Sequence, residues 1–131
     1  MTEDPTPDWP APWVRAALST AVLAALQEAP QHGYGIAVAL ERRGFGRPRG
    51  GSLYPLLGDL EDDGLLAASW AEGSGGPRRR VYQLTGAGRR RLQEDRDRWR
   101  ALVDALGEQP PTAPDAHDPT DSDEPRSPTP R

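Results

Sequence analysis

The stretch GSLYPLLGDLEDDGLLAASWAEGSGGPRRRVYQLTGAG, residues 51–88, decides the fold of this chain. Four leucines at helical spacing predict an amphipathic helix that ends at Gly64, with Ser52 as a favourable N-cap residue. Residues 65–71 and 78–84 have the pattern of two strands around a glycine-rich turn and predict an antiparallel hairpin. A helix followed directly by a hairpin is therefore the centre of the predicted fold.

Helices are predicted on both sides of this stretch. Residues 14–28 are rich in alanine and leucine and predict a well-covered first helix, and a second short helix opens at His32. Thr85 is placed to cap a last helix over about residues 86–106. The order predicts a mainly α fold with a small β-hairpin: a winged helix-turn-helix followed by one long C-terminal helix.

Composition divides the chain into four parts. Residues 1–13 and residues 108–131 are acidic and proline-rich, and such segments are expected to be disordered tails. Residues 14–85 form the predicted winged helix-turn-helix, which is a DNA-reading fold. The last helix has no partner helix of similar length in so short a chain, so we expect residues 86–107 to be a dimerisation helix.

Charge and residue usage exclude several classes of protein. The net charge of −4 belongs to the tails, because residues 14–107 carry 14 arginines against 11 acids. The chain has no cysteine, which excludes disulfides and thiolate metal sites. No signal peptide and no apolar run of membrane-spanning length is present. We therefore expect a cytoplasmic protein that makes no membrane contact.

Catalytic and cofactor motifs are also missing from the sequence. The two histidines, His32 and His117, are not paired for metal binding, and no serine has a histidine partner at a plausible position. The glycine-rich turn at residues 73–76 lacks the lysine of a phosphate-binding loop. The chain is therefore predicted not to be an enzyme and to need no cofactor or metal.

Four motifs in register make the sequence similar to a known family. They are HGYGI at residues 32–36, GSLYPLL at 51–57, LEDDGLL at 60–66 and GGPRRRVYQLTGAG at 75–88. Together they resemble the PadR family of transcriptional regulators, and the length of the last segment resembles the short subgroup with a single C-terminal helix. The resemblance implies a homodimeric, ligand-responsive repressor that binds double-stranded operator DNA.

The helix that begins near Ser52 resembles the recognition helix of the family. A helix N-terminus in the major groove can present amides to phosphate and short side chains to bases, so Ser52 and Tyr54 are candidate DNA contacts. Arg47 and Arg49, in the preceding loop, are candidate phosphate contacts. The alternatives are that Ser52 only caps the helix, that Tyr54 packs on the hairpin, and that the loop arginines are merely solvated.

Three arginines follow the predicted wing tip, Arg78, Arg79 and Arg80. Their place in a wing makes them candidates for contacts to the DNA backbone or the minor groove, and the alternative is an ordinary charged hairpin. Asp59 stands where relatives commonly carry a basic residue, and acids follow it. The acidic half of this helix keeps a second function open, a winged helix that binds a partner protein and has lost DNA binding.

The last helix carries apolar residues at steps of seven, three and four, which is typical of a seam for another helix. The predicted dimerisation residues are Leu92, Trp99, Leu102, Val103 and Leu106. The resemblance further implies that Trp99 and its symmetry mate hold a planar aromatic effector, with Trp13 as a wall of that pocket. Multidrug-responsive members of the short subgroup have an acidic residue at the position of Val103. The alternative is that Trp99 only packs in the dimer seam.

Overall fold

The computed structural model describes residues 6–71 and 78–108 of the chain. Its elements in chain order are α1 (Ala11–Gln27), β1 (Gln31–His32), α2 (Gly33–Arg42), α3 (Gly50–Asp62), β2 (Leu66–Ala71), β3 (Arg79–Leu84) and α4 (Gly86–Leu106). By their contacts these elements fall into two units, one that ends at Trp99 and one that begins at Arg100. The predicted mainly helical fold with a small antiparallel sheet is confirmed.

The core of the first unit is formed by one face from each helix and by the sheet. All six residues from Ala21 to Leu26 are buried, which agrees with the prediction that the first helix is covered on more than one side. Leu53, Leu57 and Leu60 of α3 are at most 6% exposed, and Leu56 packs against them from the edge. The leucine stripe therefore fixes which side of α3 stays exposed.

The sheet has three antiparallel strands in the order β1-β3-β2. The predicted hairpin forms with Leu66 opposite Leu84 and Trp70 opposite Arg80. The short strand β1 adds to the other edge of β3, with His32 opposite Val81. Sequence patterning missed β1 because two polar residues show no alternation, and the wing-tip residues 72–77 lie outside the described part of the chain.

The amino-terminal boundary differs from the prediction. Helix α1 begins at Ala11, three residues earlier than expected, because proline is well tolerated in the first turn of a helix. Ahead of it, the backbone amide of Asp8 donates to the carbonyl of Gly44 at 2.9 Å, and the Trp9 ring meets Phe45 edge-on at 5.1 Å. Residues 6–13 therefore form defined contacts, and residues 1–5 and 109–131 of the predicted tails lie outside the described residues.

Helix α4 begins at a capped turn and approaches the sheet closely. The Thr85 hydroxyl accepts a hydrogen bond from the Gly88 amide at 3.0 Å and donates one to the Gly64 carbonyl at 2.7 Å. A β-carbon at Gly88 would overlap the carbonyl oxygen of Leu65, so only glycine permits this approach. The predicted cap at Thr85 is therefore present.

One predicted dimerisation residue is placed differently. Leu92 is 1% exposed and belongs to the core of the first unit, so its assignment to the dimer seam was wrong. The physical reason is that Leu92 stands one helical turn after Gly88, on the face that α4 turns toward the sheet. On the same helix, the Asp95 carboxylate accepts a hydrogen bond from the Thr20 hydroxyl of α1 at 2.7 Å.

Candidate nucleic-acid interface

The exposed side of α3 begins at an uncapped amino terminus. The helix starts at Gly50 with Arg49 in the N-cap position, and no side chain forms a cap hydrogen bond there. Ser52 therefore lies inside the first turn, and its predicted N-cap role was wrong because the two glycines before it extend the helix. Ser52 and Tyr54 are both exposed. An uncapped, exposed first turn is the part of a helix that favours an anion.

Tyr54 is held in place by the start of α2. A β-carbon built on Gly33 would overlap the Tyr54 hydroxyl, and one built on Gly50 would touch the other side of the ring at 3.5 Å. The Tyr54 side chain is nonetheless 51% exposed. The Tyr54 ring thus lies against the backbone at Gly33 and at Gly50, and about half of the residue is exposed to solvent.

A groove of about 530 Å³ opens beside Tyr54. Its lining comes from the first turn of α2, from α3 and from the start of β3, and consists of His32, Gly33, Tyr34, Tyr54, Arg79 and Arg80. The structure therefore brings together Tyr54 and two of the three predicted wing arginines at one open surface. Aromatic rings and guanidinium groups on one groove suit a ligand with both phosphates and ring faces.

His32 caps α2 and also reaches the wing. Its Nδ1 accepts a hydrogen bond from the Gly35 amide at 3.1 Å, which caps α2. Its Nε2 lies 3.1 Å from a guanidinium nitrogen of Arg79. The imidazole therefore connects the start of β3 to the start of α2. No group of three or more potential metal ligands occurs within residues 6–71 and 78–108.

Arg80 is held by α3. One of its nitrogens donates to both carboxylate oxygens of Glu61, at 2.9 and 3.1 Å. The hydrogen bond that Arg80 donates to Glu61 and the negative charge of Glu61 raise the pKa of Arg80. The predicted DNA contact Arg80 is therefore already paired with a carboxylate.

Trp70 lies under the wing arginines, although the alternation of its strand predicts a place in the core. The ring is 55% exposed, with the guanidinium of Arg78 at 5.1 Å and that of Arg80 at 5.5 Å from its centre. Trp70 shares a strand face with the buried Leu66, which is why alternation suggested burial, but the hairpin extends beyond the core at this end. The signal that sequence reasoning missed is its cross-strand position opposite Arg80.

In the loop before α3, Arg47 has a similar carboxylate partner. Its Nε donates to Glu41 at 2.7 Å, and its guanidinium lies 5.5 Å from the centre of the Tyr34 ring. The hydrogen bond that Arg47 donates to Glu41, together with the negative charge of Glu41, raises the pKa of Arg47. Tyr34 is 62% exposed and also lines the groove, and sequence reasoning had not singled it out.

The remaining predicted residues are those of the dimer seam and of the effector pocket. In the second unit Leu102, Val103 and Leu106 are 46%, 62% and 76% exposed. In the first unit Trp99 is partly exposed and Trp13 is 63% exposed. Among the described residues these two tryptophans form no ring contact with each other.

The fold and its motifs match known regulators. The model of the PadR-like family of transcriptional regulators matches residues 22–94. The chain is 40% identical to the transcriptional regulator Rv3488 of Mycobacterium tuberculosis over 100 residues. These residues are 76% of this chain and 92% of that protein. The chain belongs to the PadR family. This membership places it among transcriptional regulators rather than enzymes.

Solved PadR structures share the architecture. A PadR-family regulator from Eggerthella lenta DSM 2243 superposes with a TM-score of 0.67 at 35% identity, over 73% of this chain and 83% of that chain. Bacillus subtilis PadR in complex with operator DNA superposes with a TM-score of 0.55 at 22% identity, over 81% of this chain and 57% of that chain. The second PadR structure shows the shared fold alone. No helix within the described part of this chain has the length and apolarity to cross a membrane.

Proposed function

We propose that this PadR-family regulator binds a specific double-stranded operator through α3 and the β2–β3 wing. The observation that carries the proposal is the shared surface of the uncapped α3 terminus, the half-exposed Tyr54 and the wing arginines. Ser52 and Tyr54 then meet the major groove, while Arg49, Arg78 and Arg79 meet the flanking backbone. The operator complex of Bacillus subtilis PadR supports this use of the fold.

The charge along α3 limits which half of the helix approaches DNA. Asp59, Asp62 and Asp63 are exposed in its carboxyl-terminal half, where they repel phosphate. The amino-terminal half carries no acid, and the helix dipole is positive there. We infer that α3 enters the major groove of DNA end-on, so that its first turns contact the bases and its last turns remain in solvent.

A homodimer fits both the apolar end of α4 and the geometry of operators. Leu102, Val103 and Leu106 are exposed apolar residues within two turns of one helix, which is typical of a surface that a second copy covers. Two recognition helices related by a twofold axis meet successive major grooves about 34–36 Å apart. The proposed operator is accordingly pseudo-palindromic, and the proposed regulatory effect is repression.

A planar aromatic effector remains part of the proposal. Trp99 and Trp13 present partly free indole rings, and stacking on such rings is the usual way to bind planar aromatic compounds. Binding would change operator affinity by shifting the population of dimer geometries. In the alternative function, the exposed acids of α3 bind a basic partner protein and DNA binding is absent.

One pair of variants tests the proposed DNA contact of the wing. Arg79→Ala removes a groove cation, and Arg15→Ala removes an equal charge from an exposed position on α1. Binding to duplexes from upstream of its own gene is followed by fluorescence anisotropy across a salt series. Arg79→Ala should flatten the slope of log affinity against log salt by about 0.9 per lost phosphate contact, while Arg15→Ala should not. Equal slopes in both variants would remove Arg79 from the interface.

A further inference from the structure

The Arg80–Glu61 pair sits where a phosphate contact is expected. Arg80 lines the groove beside Tyr54 and Arg79, yet its guanidinium donates to both oxygens of Glu61 at 2.9 and 3.1 Å. The two side chains are 40% and 31% exposed, so solvent and ligands reach the pair. A cation that is poised at the surface is thus neutralised by an acid of α3 itself.

We propose that Glu61 is a specificity-determining residue that keeps Arg80 from binding DNA phosphates. The proposal rests on the DNA binding proposed above. Phosphate contacts raise affinity for every sequence equally, whereas base contacts distinguish sequences. An arginine that is paired within the protein therefore lowers binding to random DNA without changing the contacts of Ser52 and Tyr54 to bases.

The surroundings of Arg80 explain why one carboxylate suffices. The Trp70 ring lies 5.5 Å from the guanidinium, and the cross-strand register places Trp70 directly opposite Arg80. The stem of Arg80 is thereby confined near the groove, and the carboxylate decides whether the guanidinium is satisfied by the protein or available to a phosphate. Arg79 differs because its partner is the imidazole of His32, which carries no negative charge.

A role confined to stability gives a different expectation. Pairs as exposed as this one contribute little to folding, and a glutamine at position 61 keeps the size and one hydrogen-bond acceptor. A merely structural pair would therefore alter the melting temperature slightly and leave the salt dependence of DNA binding unchanged. The salt dependence is the readout that separates the two roles.

The test compares Glu61→Gln with Asp62→Asn in the full-length protein. Both variants remove one negative charge from α3, but Asp62 is exposed and its side chain forms no hydrogen bond or ion pair with any described residue. Affinity for a scrambled duplex is measured by fluorescence anisotropy across a salt series. For Glu61→Gln the slope of log affinity against log salt should steepen by about 0.9 per chain. Its affinity for the scrambled duplex should therefore exceed that of wild type most at low salt, and this ratio should fall about 3.5-fold between 50 and 200 mM salt.

A double variant and the wild-type slope complete the design. Glu61→Gln combined with Arg80→Gln should lose both the higher affinity and the steeper salt slope of Glu61→Gln, because the released cation is then absent. Equal slopes for Glu61→Gln and Asp62→Asn, beside a steep wild-type slope, would overturn this inference and leave the proposed DNA binding intact. A wild-type protein whose binding shows no salt dependence would overturn both.

Discussion

The Tyr54 ring of α3 rests on Gly33, the first residue of α2, so closely that a β-carbon at Gly33 would overlap the hydroxyl. This contact joins the start of α3, the proposed recognition helix, to the start of the helix before it. Because the contact needs the absence of a side chain, the direction of the half-exposed Tyr54 depends on Gly33. The sequence HGYGI therefore contributes to the proposed interface through a glycine as well as through its aromatic residue.

We expect Gly33→Ala to weaken operator binding about fivefold, because it displaces Tyr54 and the loss of one polar contact costs about 1 kcal/mol. Anisotropy titration with an operator duplex measures this change. The control is the cycle with Tyr54→Ala: once Tyr54 is absent, Gly33→Ala should have no further effect. Additive losses in the double variant would show that Gly33 acts by another route.

Two helical glycines should respond to alanine with opposite signs. A β-carbon at Gly88 overlaps the Leu65 carbonyl, so Gly88→Ala should lower the free energy of unfolding by about 1–3 kcal/mol. A β-carbon at Gly58 meets no atom within 4 Å, so Gly58→Ala should raise it by up to about 1 kcal/mol through helix propensity. Urea unfolding of both variants checks the pair, and a Gly88→Ala protein as stable as wild type would contradict the described approach of α4.

The prediction of the fold from sequence succeeded where periodicity was long and unambiguous. The leucines of α3, the strands of the hairpin and the span of α4 follow from spacing and from caps such as Thr85. Strand β1 could not be foreseen because its pairing with β3 is a tertiary event between segments about fifty residues apart. Leu92 was misassigned because helical spacing alone cannot separate the face that packs inward from a seam for a second chain.

The candidate site was foreseen in its residues but not in its pairings. Glycine-rich loops and arginine runs indicate the α3 terminus and the wing, and Tyr54 and Arg79 do share one groove. The partners of Arg47 and Arg80 are glutamates that lie 6 and 19 residues away, and no local pattern announces them. Trp70 was assigned to the core because alternation does not tell where a hairpin leaves the core.

The exposed apolar end of α4 should hold a dimer together. Leu106→Glu places a charge at the most exposed of the three apolar residues, so we expect the protein to become monomeric at micromolar concentration. Sedimentation velocity measures the change, and circular dichroism confirms that α4 is still helical. A wild-type protein that is already monomeric at that concentration would contradict the proposed homodimer.

Trp99 should determine binding of planar aromatic compounds. Acridine orange serves as the probe, with its fluorescence anisotropy read in the absence of DNA. Trp99→Ala should weaken dye binding about fivefold, because stacking on an aromatic ring contributes about 1 kcal/mol. Trp70→Ala, which removes an exposed indole from the wing, is the matched control and should leave dye affinity unchanged. Unchanged affinity in Trp99→Ala would exclude Trp99 from an effector pocket.

Operator binding itself is tested most directly by fluorescence anisotropy of the wild-type protein on DNA from upstream of its own gene. A scrambled duplex of equal length is the comparison, and both are titrated at two salt concentrations. We predict tighter binding to the upstream duplex than to the scrambled one, with affinity for both falling steeply as salt rises. Weak binding that is equal for both duplexes and insensitive to salt would contradict the account and favour a protein partner for α3.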